Sequence, residues 1–160
     1  MMAPLMIAVT QKLVERGHQV LRFNFRGTGD SGGLHDHGEG ELLDVDAAIA
    51  LAKERSGKLG LAGWSFGAGV ALNWLIDHES TLPYVGIAPA TRLLKGAPPS
   101  GARRIILGTR EQVIDSDALR TYTTENGFDL VITPGDHFFH GRGKRIGDLV
   151  GEALETAARP

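Results

Sequence analysis

Gly63-Trp64-Ser65-Phe66-Gly67 constrains this chain more than any other stretch. Before it, Lys58-Leu59-Gly60-Leu61-Ala62 reads as a short apolar strand, and after it Ala68–Ile76 reads as a helix. A G-x-S-x-G between a strand and a helix describes a strained turn that lifts a serine hydroxyl off the end of a sheet. Side chains two residues to either side would crowd that turn, which accounts for the flanking glycines. The plainer alternative is a glycine-rich turn whose serine caps the helix that follows.

Alternating elements surround this stretch. Pro4–Arg16 has helical spacing at Leu5, Met6, Val9, Leu13 and Val14, with Pro4 in the first turn and Gly17 at the end. Gln19–Phe25 is β-branched and aromatic and reads as a buried strand. Residues 26–40 read as a polar loop and Glu41–Arg55 as an amphipathic helix. Pro83–Ala88, Arg103–Gly108 and Phe128–Ile132 read as further strands, and Ser116–Glu125 and Lys144–Ala158 as helices. The expected fold is therefore α/β, a mostly parallel sheet of about five strands with helices on both faces. The chain's 160 residues fit one domain, 1–160, with a sizeable core. The only loose stretch, Lys95–Gly101, reads as a loop and not a linker.

Several function classes are set aside. A net charge of −2 gives no attraction to nucleic acid or to an acidic membrane surface. The apolar opening Met1–Val9 is too short for a membrane span and has neither a basic leader nor a small-residue cleavage site. The absence of cysteine excludes disulfides and thiol chemistry and fits a cytoplasmic location. Gly27-Thr28-Gly29-Asp30-Ser31-Gly32 matches a dinucleotide-binding pattern, but the residues that follow are poor helix formers, and the next strand lacks an acid for a ribose. His35, Asp36, His37, Glu39 and Glu41 invite a metal reading. They lack a matching ligand pair downstream apart from His137 and His140, so a solvated loop and no metal are expected.

A serine nucleophile needs a base, and the base needs an orienting acid. In sites of this kind the chain order is serine, acid, histidine. His78, His137 and His140 follow Ser65. His78 falls in the last turn of the helix after the serine, where a cation suits the helix dipole. His137 lies in a short loop after a strand, on the sheet edge where sites form, and is the expected base. The acid should follow the Arg103–Gly108 strand, where Glu111, Asp115 and Asp117 are candidates. Asp115 has a competing use as the cap of the next helix.

Three segments carry a resemblance: Phe23–Ser31, Gly63–Gly67 and Pro134–Arg142. Together they resemble a family of small bacterial predicted α/β-hydrolases, similar to dienelactone-hydrolase-like and serine-aminopeptidase-like members of that superfamily. The likeness runs over nearly the whole chain. It implies Ser65 as nucleophile, His137 as base and the Phe66 N–H as an oxyanion donor. The family places an Asp three residues after a Gly in the acid loop; here that position is Glu111, after Gly108. The family also opens with a strand and a loop of H-P-H-P type, whereas this chain begins near the first helix. The resemblance therefore implies an N-terminally shortened hydrolase, impaired by the lack of a second oxyanion donor. It also implies that the Val20–Phe25 and serine-bearing strands either pair directly or have their edge covered in a homodimer. Arg26, Trp64, Phe138 and Phe139 are expected to line a pocket for a small-molecule substrate. The expected activity is serine hydrolysis of a small ester, thioester or amide without a cofactor. The competing expectation is a non-catalytic domain of the same fold, used for binding or self-association.

Overall fold

A computed structural model of the chain describes residues 3–157. Met1, Met2 and the last residue of the expected closing helix, Ala158, lie outside them. The elements are α1 (Pro4–Glu15), α2 (Glu41–Lys53), β1 (Leu61–Trp64), α3 (Phe66–Asp77), β2 (Tyr84–Ile87), β3 (Arg103–Gly108), α4 (Ser116–Glu125), β4 (Asp129–Thr133) and α5 (Gly143–Ala157). A short 3₁₀ turn, Thr91–Leu93, follows β2. Among the described residues no helix is long and apolar enough to cross a membrane.

The sheet has four parallel strands in the order β1-β2-β3-β4. Trp64 stands opposite Ile87, Ile87 opposite Ile106 and Ile106 opposite Val131, so β1 and β2 end at one level while β3 and β4 run two residues further, to Gly108 and Thr133. Side chains alternate across it, as the pleat requires. Tyr84, Ile105 and Leu107 face one core with Val45 and Ile49 of α2, Leu72 and Leu75 of α3 and Leu119 of α4. Val85, Ile87 and Ile106 face a second core with Leu5, Val9 and Leu13 of α1 and Ile146, Leu149 and Val150 of α5. Each such fully buried side chain stabilises the fold by about 1.5–3 kcal/mol relative to exposure. On the second face, α1 and α5 are also joined by Arg16, whose guanidinium donates to both carboxylate oxygens of Glu155 at 2.7 Å.

The fifth strand is absent from the sheet. Gln19–Phe25 has strand-like composition but runs outside the ladder, and Leu21 and Phe23 are exposed. A strand needs a hydrogen-bonding neighbour, and among the described residues no strand lies on the outer side of β1. The expected direct pairing of this segment with β1 does not occur. Its ends are held by side chains instead: Val20 packs on the α1–α5 core, and Phe25 on the opposite core and edge-on to Phe66. A groove of about 320 Å³ lies between the segment and α2, lined by Leu21, Phe23, Arg26, Ala47 and Leu51 among others.

Candidate active site

Ser65 is the residue between β1 and α3. Its backbone has φ 52° and ψ −116°, a conformation that a non-glycine residue holds only when its surroundings fix it. They do: its N–H donates to the Ile87 carbonyl, and its carbonyl accepts from the Gly69 and Ala90 N–H groups. Of the two flanking glycines only Gly63 is demanded by crowding, since a Cβ there would lie 2.7 Å from the Ala68 backbone. A Cβ at Gly67 would meet only the Phe25 ring, at 3.4 Å, so the symmetrical crowding argument holds on one side only.

Three loops at the C-terminal edge of the sheet converge. The loops after β3 and β4 come together because Gly108 lacks a side chain. A Cβ there would sit 2.6 Å from the Gly135 carbonyl oxygen, and the Arg110 N–H donates to that same carbonyl. The approach puts Glu111 under His137. The Glu111 Oε2 lies 2.9 Å from His137 Nδ1, and His137 Nε2 lies 2.9 Å from Ser65 Oγ. A carboxylate only accepts, so Nδ1 carries the ring proton and Nε2 is left to accept from the serine hydroxyl. The other Glu111 oxygen accepts the N–H groups of Gln112, Val113 and Ile114 at 2.9, 2.7 and 3.3 Å. The His137 and Glu111 side chains are 4% and 1% exposed, so the pair is dry while Ser65 is half-buried. Trp64 donates its indole N–H to the His137 carbonyl at 3.0 Å and holds the loop from below.

The remaining candidates divide. Asp115 caps α4, accepting from the Asp117 and Ala118 N–H groups, and Asp117 lies in the first turn of α4. His140 is exposed and sits 3.2 Å from the Asp136 carboxylate, which that contact holds below its ordinary pKa. His78 ends α3 and stacks on Trp74. Phe138 is half-exposed, its ring 5.4 Å from His137 and 5.8 Å from Trp64. Phe139 does not line a pocket: φ 49° turns its ring inward, and it is buried in the α1–α5 core. Arg26 lines the groove between the Gln19–Phe25 segment and α2. Its guanidinium is forked on Asp44 of α2 at 2.9–3.2 Å, beside the groove described above. That groove includes none of Ser65, His137 and Glu111. Among the described residues no three His, Asp or Glu side chains are gathered as metal ligands.

Sequence reasoning gave Glu41 no role beyond the loop, and an acid in a helix's first turn is too common to stand out. Glu41 is 0% exposed. It accepts the Asp36 and Gly38 N–H groups at 2.9 and 2.8 Å, and His35 Nδ1 lies 2.8 Å from it. Burial alone would raise its pKa. The N–H groups of Asp36, Gly38 and Glu41 itself, with His35, outweigh burial and hold it below its ordinary 4.5. A group whose pKa is lower folded than unfolded adds stability above its unfolded value and loses it as pH falls through the folded one. The melting-temperature gap between the wild type and Glu41→Gln should accordingly shrink below about pH 4.5. A gap that stays constant down to pH 3 would refute this.

A family model described as the alpha/beta hydrolase family matches residues 2–159. The chain belongs to the alpha/beta hydrolase family. The chain is 30% identical to XC6422 from Xanthomonas campestris, a serine hydrolase of the fold without a lid, with a TM-score of 0.83. The match covers 99% of the present chain and 76% of that one. An alpha-beta serine hydrolase homologue from Coxiella burnetii is 26% identical, with a TM-score of 0.82, over 95% of this chain and 76% of the other. The uncharacterized protein RP471 from Rickettsia prowazekii is 26% identical over 90% of this chain and 68% of its own length. The chain thus spans about three quarters of the length of these solved structures.

Proposed function

We propose that this chain is a serine hydrolase of small esters, thioesters or amides, working through Ser65, His137 and Glu111. The observation that carries the reading is the relay of two 2.9 Å contacts from Glu111 through His137 to the Ser65 hydroxyl. Ser65 Oγ attacks the substrate carbonyl while His137 Nε2 takes its proton. The carbonyl oxygen becomes an oxyanion and accepts from the Phe66 N–H, which has no intrahelical partner because Phe66 opens α3. The tetrahedral intermediate collapses, His137 returns the proton to the leaving group, and an acyl-serine remains. Water then attacks the acyl-serine with His137 again as base, releasing the acid and freeing Ser65. Glu111 holds the imidazole in the tautomer the first step needs and stabilises the imidazolium that forms. No step calls for a metal or an organic cofactor. Trp64 and half-exposed Phe138 flank the base and offer apolar surface to the leaving group.

The test is covalent labelling. A fluorophosphonate should attach to Ser65, located by peptide mass, and the purified chain should turn over p-nitrophenyl acetate. An unlabelled serine in folded protein would rule the reading out. Glu111→Gln keeps the size but loses the charge, and its expected cost is about 10⁴ in kcat. Asp115→Asn should leave kcat alone. If Asp115→Asn is the damaging change, the acid has been misassigned.

A second reading, a non-catalytic domain that self-associates, is favoured by the outer edge of β1, which carries no strand among the described residues. It requires a dimer in solution and an inert Ser65.

A further inference from the structure

The reaction leaves the fully buried carboxylate of Glu41 without a task. Burying a carboxylate is costly unless its oxygens are satisfied, and both Glu41 oxygens are satisfied by one short stretch of chain. Oε1 takes the Asp36 N–H and Oε2 the Gly38 N–H, with His35 Nδ1 against Oε1. The carboxylate thereby ties residues 35–38 to the first turn of α2. The tied stretch leans on the start of α3. Gly38 lies against Leu93 and Val70, and the His35 ring is 5.0 Å from the Phe66 ring. On another side the Phe25 ring meets Phe66 edge-on at 5.7 Å.

Phe66 is thus held by its side chain, while its N–H is the group offered to the oxyanion. Such a donor works only when placed within a few tenths of an ångström, and small misplacements are expensive in rate. We propose that Glu41 is a positioning residue for the oxyanion donor: through the 35–38 stretch and the His35 ring it fixes Phe66, and with it the first N–H of α3. The proposal rests on the reading of Ser65 as nucleophile and Phe66 as donor. It gives Glu41 a part in turnover that a mere loop anchor would not have.

The experiment compares Glu41→Gln, His35→Ala and His35→Phe with the wild type. Turnover of p-nitrophenyl acetate is divided by the Ser65 sites titrated to completion with a fluorophosphonate, so that misfolded protein does not count. Glu41→Gln and His35→Ala should each lower kcat per site about tenfold with KM little changed. The double variant should lose little more than either alone, because both act through the same ring. His35→Phe keeps a ring against Phe66 and should recover most of the rate. Should Glu41→Gln fail to fold, His35→Ala decides, since His35 is half-exposed and its truncation leaves the cores untouched. A Glu41→Gln protein that melts earlier but turns over normally per site, together with a normal His35→Ala, overturns the proposal while labelled Ser65 keeps the hydrolase reading. A wild type that takes no label at Ser65 overturns both.

Discussion

Ser65→Ala is expected to abolish ester hydrolysis and fluorophosphonate labelling while leaving the fold intact. The loss should be on the order of 10⁶ in kcat, because removing the nucleophile removes the covalent route and strands the base and acid. The fold should survive because among the described residues the hydroxyl's partner is His137, whereas the backbone of the turn is held by Ile87, Gly69 and Ala90. Alanine inherits the φ of 52° that serine already tolerates. The measurement is steady-state turnover on protein with a wild-type circular dichroism spectrum. Unchanged turnover in a sample free of wild-type enzyme would remove Ser65 from the mechanism.

His137→Ala should cost a comparable factor, on the order of 10⁶ in kcat, and His140→Ala almost nothing. The difference lies three residues along one loop. His137 is buried between Glu111 and Ser65, while His140 is exposed beside Asp136. An inactive His140→Ala beside an active His137→Ala would mean that the wrong imidazole has been placed in the relay.

Much of this arrangement is legible in the sequence, and the exceptions have physical causes. β3 and α4 fall where their residues put them, because Gly101 and Gly108 bound the apolar run and Asp115 supplies a cap. The serine motif hides its own strand: β1 runs on through Gly63 and Trp64 to the residue before Ser65, where the apolar pattern alone stops at Ala62. Gln19–Phe25 has the composition of β3 without a place in the ladder, since pairing depends on a distant neighbour that composition does not encode. Spacing alone leaves Glu111, Asp115 and Asp117 as candidates, and only the family resemblance and the capping use of Asp115 single out Glu111. The contact of Gly108 with Gly135, set by folding, chooses which of them meets His137. Phe138 and Phe139 look alike in sequence, yet one positive φ sends the second into the core. The burial of Glu41 is hard to read from the sequence, because beside His35 its partners are main-chain N–H groups, which any residue but proline possesses.

β1 leads into Ser65 and stands at an edge of the sheet, and this has a consequence for how the molecule breathes. The Leu61 and Ser65 N–H groups point to β2, donating to Pro83 and Ile87, so by alternation those of Ala62 and Trp64 point outward. Those two amides should exchange with deuterated solvent by small local openings, while amides of β2 and β3 wait for rarer, larger ones. The nucleophile therefore follows one of the two edge strands of the sheet, β1 and β4. On warming, the serine's neighbourhood should loosen before the two cores do.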